Sequence, residues 1–99
     1  MIVVNAKMIT NDENLELLKR EVKSLEIETR KEDGCIDYAF SIEMYEPNIV
    51  RITELWDNLE SLKNHLKTEH VVNFIEAMSV NPTETEAHFY ESNEFPLDF

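Results

Sequence analysis

The hydrophobic period of this chain switches repeatedly between two and about 3.6. That succession constrains the fold more than any single motif. Ile2, Val4, Ala6 and Met8 alternate with Val3, Asn5, Lys7 and Ile9, which is strand spacing. Leu15, Leu18, Val22 and Leu25 follow at steps of 3, 4 and 3, a helical stripe backed by Glu16, Lys19, Arg20, Lys23 and Glu26. Thr10 and Glu13 stand at capping-box spacing ahead of that stripe. Gly34, the only glycine, is expected just past the helix end, in a left-handed conformation. From Cys35 the period is two again, with Ile36, Tyr38, Phe40 and Ile42 on one face and Cys35, Asp37, Ala39, Ser41 and Glu43 on the other.

After a turn at Tyr45-Glu46-Pro47-Asn48, a third strand runs from Ile49 to Trp56, placing Val50, Ile52, Glu54 and Trp56 on one face. Asp57 and Glu60 repeat the capping spacing, and Leu59, Leu62 and Leu66 mark a short helix. Thr68 can cap a further turn whose apolar side is Val71, Phe74, Ile75 and Met78, ended by Asn81-Pro82. Thr83 to Glu91 has strand propensity. The order β-α-β-β-α-β predicts an α+β, ferredoxin-like antiparallel sheet with its helices on one face. Such a sheet leaves its other face bare, and the apolar residues exceed what two helices would cover. The expectation is a single domain over residues 1–99 that pairs as a homodimer, sheet against sheet. The tail from 91 to 99 carries Phe95 and Phe99, and has two readings, a segment docked on the partner subunit or a disordered end.

Charge removes several function classes. With 9 Lys+Arg against 21 Asp+Glu, the net charge is −12, which argues against nucleic acid and against anionic membrane surfaces. A lone Cys35 forms no internal disulfide and no zinc set of cysteines. The start has neither the basic residues nor the apolar length of a signal peptide, so a soluble, cytoplasmic protein is expected.

Candidate site residues each have two readings. Trp56, the only tryptophan, is a cavity wall for an aromatic ligand or a core anchor. His65, beside the Leu59/Leu62/Leu66 stripe, is a general base or a helix residue bonded locally. His70 is a second polar wall or a surface cap. On one continuous helix, residues five apart point about 140° away from each other, so this pair would make a poor metal site and could converge only if the helix breaks near Lys67-Thr68. Glu54 shares the Trp56 face. If that face is buried, its carboxylate needs a partner or turns into a base of raised pKa. Asn5 could donate to a substrate oxygen or satisfy a neighbouring backbone group. Tyr38 is a proton donor or a half-buried strand aromatic.

Three stretches together carry a resemblance. They are Glu32-Asp33-Gly34-Cys35-Ile36-Asp37-Tyr38 (E-x-G-C-x-x-Y), Glu54-Leu55-Trp56 (E-x-W), and His65-Leu66-Lys67-Thr68-Glu69-His70 (H-L-x-T-x-H) followed by the aromatic Phe74. In this order they resemble the antibiotic biosynthesis monooxygenase family, and more narrowly its small quinol-monooxygenase branch. The resemblance implies a dimeric ferredoxin-like barrel that oxidises a small electron-rich aromatic (a hydroquinone, phenol or anthrone) with O2. It implies no metal, flavin or other cofactor, because the substrate supplies the electrons. His65 and Glu54 would then be the catalytic pair, and Asn5, Tyr38, Trp56, His70 and Phe74 the substrate wall. Relatives with isomerase chemistry on the same scaffold, and a binding or stress-response module without turnover, are the competing expectations. Haem degradation is disfavoured: the family's haem-degrading members place a Trp where this chain has His65, and a haem-ligating His near Ile75.

Overall fold

The computed structural model describes residues 1–99. The elements are β1 (Ile2–Ile9), α1 (Asp12–Thr29), β2 (Cys35–Ile42), β3 (Ile49–Trp56), α2 (Leu59–His65), α3 (Glu69–Met78) and β4 (Glu84–Glu91). The four strands form one antiparallel sheet in the order β2-β3-β1-β4. This is the ferredoxin-like order that the alternating periods predict, with the second helix divided in two.

Most elements form where local chemistry places them. β1 and β3 keep the bounds set by their alternation, and Ile2, Val4, Ala6, Met8, Val50, Ile52 and Trp56 are buried on the helix-covered face. Both expected helix caps shift by one residue. Asn11, not Thr10, caps α1 and exchanges side-chain bonds with Asn14; Thr10 instead ties its hydroxyl to the Asn48 carbonyl. Asn58, not Asp57, caps α2 by accepting from the Ser61 N–H. In both cases an Asn with an extended backbone takes the cap, a position for which its short amide is well suited. Thr68 caps α3 as expected.

Two further expectations need correction. Gly34 is not the residue that ends α1; that helix closes at Arg30 in a right-handed conformation. Gly34 lies later, in the turn before β2, with φ +82°. A Cβ there would run into the Ser61 side chain of α2, so the glycine permits both the turn and the close approach. The second correction concerns β2. A bulge between Cys35 and Asp37 sets Cys35 opposite Trp56, so Cys35 packs on the core and Ile36 is 53% exposed. One extra residue is enough to reverse the facing of everything before it.

The core lies between the sheet and the helices in two clusters. One holds Ala6, Met8, Leu15, Leu18, Val50, Ile52 and Met78. The other holds Ile2, Val4, Leu25, Tyr38, Trp56, Leu62 and Val71. Phe40 and Phe74 pack against both, with ring centroids 5.9 Å apart. The opposite sheet face is uncovered, and it is mixed rather than apolar: Val3, Leu55 and Tyr90 sit among Asn5, Lys7, Arg51, Thr53 and His88. β4 is exposed along its whole length, because it lies at the sheet edge beyond the helices. No helix is long and apolar enough to cross a membrane.

Candidate functional site

The break between α2 and α3 organises the site. α2 ends at His65, Leu66 caps it, and α3 begins at Glu69 behind the Thr68 cap. The Thr68 hydroxyl also donates to the His65 carbonyl, 2.7 Å away. The chain therefore turns within four residues, and the two histidines converge on a single oxygen. His65 Nδ1 lies 2.7 Å from Glu32 Oε2, and His70 Nε2 lies 2.7 Å from the same atom. The condition set by the sequence for convergence, a break near Lys67-Thr68, is met.

Glu32, which opens the E-x-G-C-x-x-Y stretch, is the member of the cluster that no sequence pattern marks. It stands in the turn between α1 and β2, where no period marks an inward-facing position. Its geometry defines the hydrogens around it. An ionised carboxylate only accepts, so each facing ring nitrogen must carry the hydrogen and donate. In neutral His65 the lone pair then sits on Nε2, the nitrogen left to take a proton. This is how a carboxylate orients a general base.

His65 is buried, at 3% exposure, and is enclosed by aromatic rings. Its centroid is 4.7 Å from that of Trp56 and 5.2 Å from that of Tyr38, the latter edge-on. Trp56 is wholly buried at 0% exposure and meets Tyr38 edge-on at 6.5 Å. Its indole Nε1–H donates to Glu54 Oε1 at 2.9 Å. Glu54 thus has both features expected of a carboxylate on the covered face. It has a partner, and burial raises its pKa against the opposing pulls of the Trp56 hydrogen bond and of His65, with Glu32 adding a further rise. Burial, then the Glu54 carboxylate, pushes the Tyr38 hydroxyl far above its usual range. Tyr38 stays a neutral phenol, able to donate a hydrogen bond and not to act as an acid near neutral pH.

The structure brings Tyr38, Glu54, Trp56, His65 and His70 together, and Phe74 stands beside them. It does not bring Asn5. Asn5 pairs with Thr53 and His88 on the uncovered sheet face, with the sheet between it and His65. The alternation of β1 dictates this, since Val4 and Ala6 take the inward positions on either side of it. The site opens to solvent through a cleft of about 300 Å³ between α1 and α3, lined by Glu21, Glu28, Glu69, His70, Asn73 and Phe74 among others. His70 is the member of the cluster that reaches this cleft; Trp56 and His65 lie behind it.

Comparison with known proteins agrees with this picture. Residues 1–77 match the sequence profile of the antibiotic biosynthesis monooxygenases. A crystal structure from Deinococcus radiodurans, to which that family name is given provisionally, superposes with a TM-score of 0.90 at 27% identity, covering 100% of this chain and 99% of the other. A conserved protein from Methanosarcina mazei Go1 gives a TM-score of 0.84 at 33% identity over 93% of this chain and 92% of its own. The uncharacterized protein YjcS of Bacillus subtilis is 38% identical over 65 residues, 65% of this chain and 61% of that relative's length. By this match over most of its length, on top of the fold and motif order, the chain belongs to the antibiotic biosynthesis monooxygenase family.

Proposed function

We propose that this protein oxidises a small electron-rich aromatic (a hydroquinone, phenol or anthrone) with O2, using no cofactor. The observation that carries the reading is the buried imidazole of His65, oriented by Glu32 and walled by Trp56 and Tyr38. His65 Nε2 takes the hydroxyl or enol proton of the substrate. The resulting anion is electron-rich enough to pass an electron to O2. The dry aromatic wall keeps the reactive pair from water. Tyr38 and the protonated form of Glu54 supply hydrogen-bond donors to the developing oxyanion. For an anthrone, the CH2 becomes C=O: one oxygen atom enters the carbon, the other leaves as water, and no outside reductant is needed. His70 and Phe74 border the route from the cleft.

The functional unit is a homodimer in this reading. The uncovered sheet face and the exposed run of Phe89, Tyr90, Phe95, Leu97 and Phe99 are what a second copy would cover. The test is oxygen-electrode turnover of chelator-treated protein with a panel of hydroquinones and anthrones. O2 uptake coupled to quinone formation supports the proposal. Turnover of a carbonyl substrate under argon, with no O2 uptake, would replace it with an isomerase that uses the same base.

A further inference from the structure

Two imidazoles and a carboxylate reach one point from three separate segments: α2, α3 and the turn before β2. Their ligating atoms all lie within 4.8 Å of one another. Two histidines and a glutamate are a donor set that holds zinc with one position open. We propose that Glu32, His65 and His70 form a binding site for a divalent transition ion of the zinc type, filled through the cleft between α1 and α3.

Three features support it. The first is reach. Bonds of about 2.0–2.1 Å in a tetrahedron separate donor atoms by about 3.3 Å, and the two nitrogens now stand 2.7 Å from Glu32 Oε2. An ion would hold Glu32 Oε2 farther from both nitrogens than it now stands, and all three donor atoms already lie within 4.8 Å of one another. The second is the field at the entrance. Glu21, Glu28 and Glu69 line the cleft beside His70, and no Lys or Arg lines it. Such a mouth concentrates cations. The third is proton balance. The ion takes the place of the two hydrogens that now bridge to Glu32. Each imidazole moves its N–H hydrogen to its other nitrogen and stays neutral, which His65 and His70 can both do.

This inference rests on the geometry and not on the oxygenase reading, but it bears on that reading. With the ion on Nδ1, His65 carries its hydrogen on Nε2 and can no longer accept a proton. A filled site is therefore a silenced one.

The test titrates chelator-treated full-length protein with Co2+, then displaces it with Zn2+. The expected result is one Co2+ per chain with the intense visible band of tetrahedral coordination, lost on adding Zn2+. Glu32→Gln and His70→Asn should each weaken binding by at least about tenfold, with unchanged near-ultraviolet circular dichroism. Glu28→Gln, at the cleft mouth only, should leave the band in place. Pale octahedral Co2+, or an affinity unmoved in His70→Asn, would overturn the proposal. Should Glu32→Gln fail to fold, His70→Asn decides, because that side chain is partly exposed. Co2+ binding by a protein whose metal-free form takes up no O2 would sink only the oxygenase reading; O2 uptake by the metal-free form of a protein that binds no Co2+ would sink only this one.

Discussion

The two halves of the core share β1, β3, α1 and α3, and α2 covers only one of them, yet the deeper difference between them is one of kind. The half around Leu15, Leu18, Val50 and Ile52 holds no buried ionisable group, and the buried Thr10 and Asn14 at its end bond to backbone. The half around Trp56 and Tyr38 encloses His65 and borders Glu54 and Glu32. The apolar half is what a domain of this size needs for stability, since burial of such side chains is its main favourable term. The polar half contributes less to stability than a matched set of leucines would, because buried charges are desolvated. A chain that tolerates this arrangement in one half only, beneath a helix broken to aim two histidines at it, has a use for it.

That contrast can be broken by substitution, and the largest effect should be on turnover. His65→Gln is expected to lower O2 uptake by about 10²–10⁴-fold, the usual contribution of a general base, measured with whichever hydroquinone turns over fastest. Leu18→Ala, in the apolar half, should destabilise the fold by about 2–5 kcal/mol in urea unfolding. Its turnover per folded molecule should be unchanged. Trp56→Phe removes the donor to Glu54 and should lose about 1.5–3 kcal/mol of stability, together with weaker substrate binding seen as a raised KM. An unchanged KM in the folded variant would remove Trp56 from the substrate wall.

The next effect is smaller and depends on pH. The folded chain holds a proton on Glu54 at pH values where the unfolded chain has released it. The folded state then binds more protons, so stability falls as pH rises through that window. The contribution is complete below the ordinary carboxylate range and is lost once the pH passes the raised value. Glu54→Gln should therefore stabilise the protein near neutral pH, seen as a raised Tm. The advantage should shrink toward zero near pH 4, read by thermal unfolding across the pH range. The smallest effect belongs to the uncovered sheet face. Asn5→Ala, with the sheet between it and His65, should leave turnover of the folded protein as it was.

The sequence made the strands legible where one face is buried and the other is not. β1 and β3 show this in Ile2–Met8 and Val50–Trp56, and their bounds follow from the alternation. The break in the second helix was legible through Thr68, whose side chain is a better cap than a helix-interior residue. The facing of Ile36 was not legible. The bulge that turns it outward is decided by how β2 pairs with β3, a long-range matter that no local period records. Glu32 was hidden for a related reason. It lies in a turn, and only the approach of α2 and α3 from more than thirty residues away gives it two partners. Asn5 failed in the opposite way. Its residue type suggested a polar contact to substrate, but the parity of β1 had already assigned it to the far side of the sheet.

The most direct test of the claim that one half of the core is built for chemistry and the other for stability is a paired measurement on His65→Gln and Leu18→Ala. O2 uptake and unfolding free energy would be determined for both, at a temperature where each is fully folded. The account predicts a crossed result: His65→Gln loses turnover while keeping most of its stability, and Leu18→Ala loses stability while keeping its turnover. Loss of turnover in proportion to loss of stability in both variants would contradict it, and would make His65 one more packed side chain.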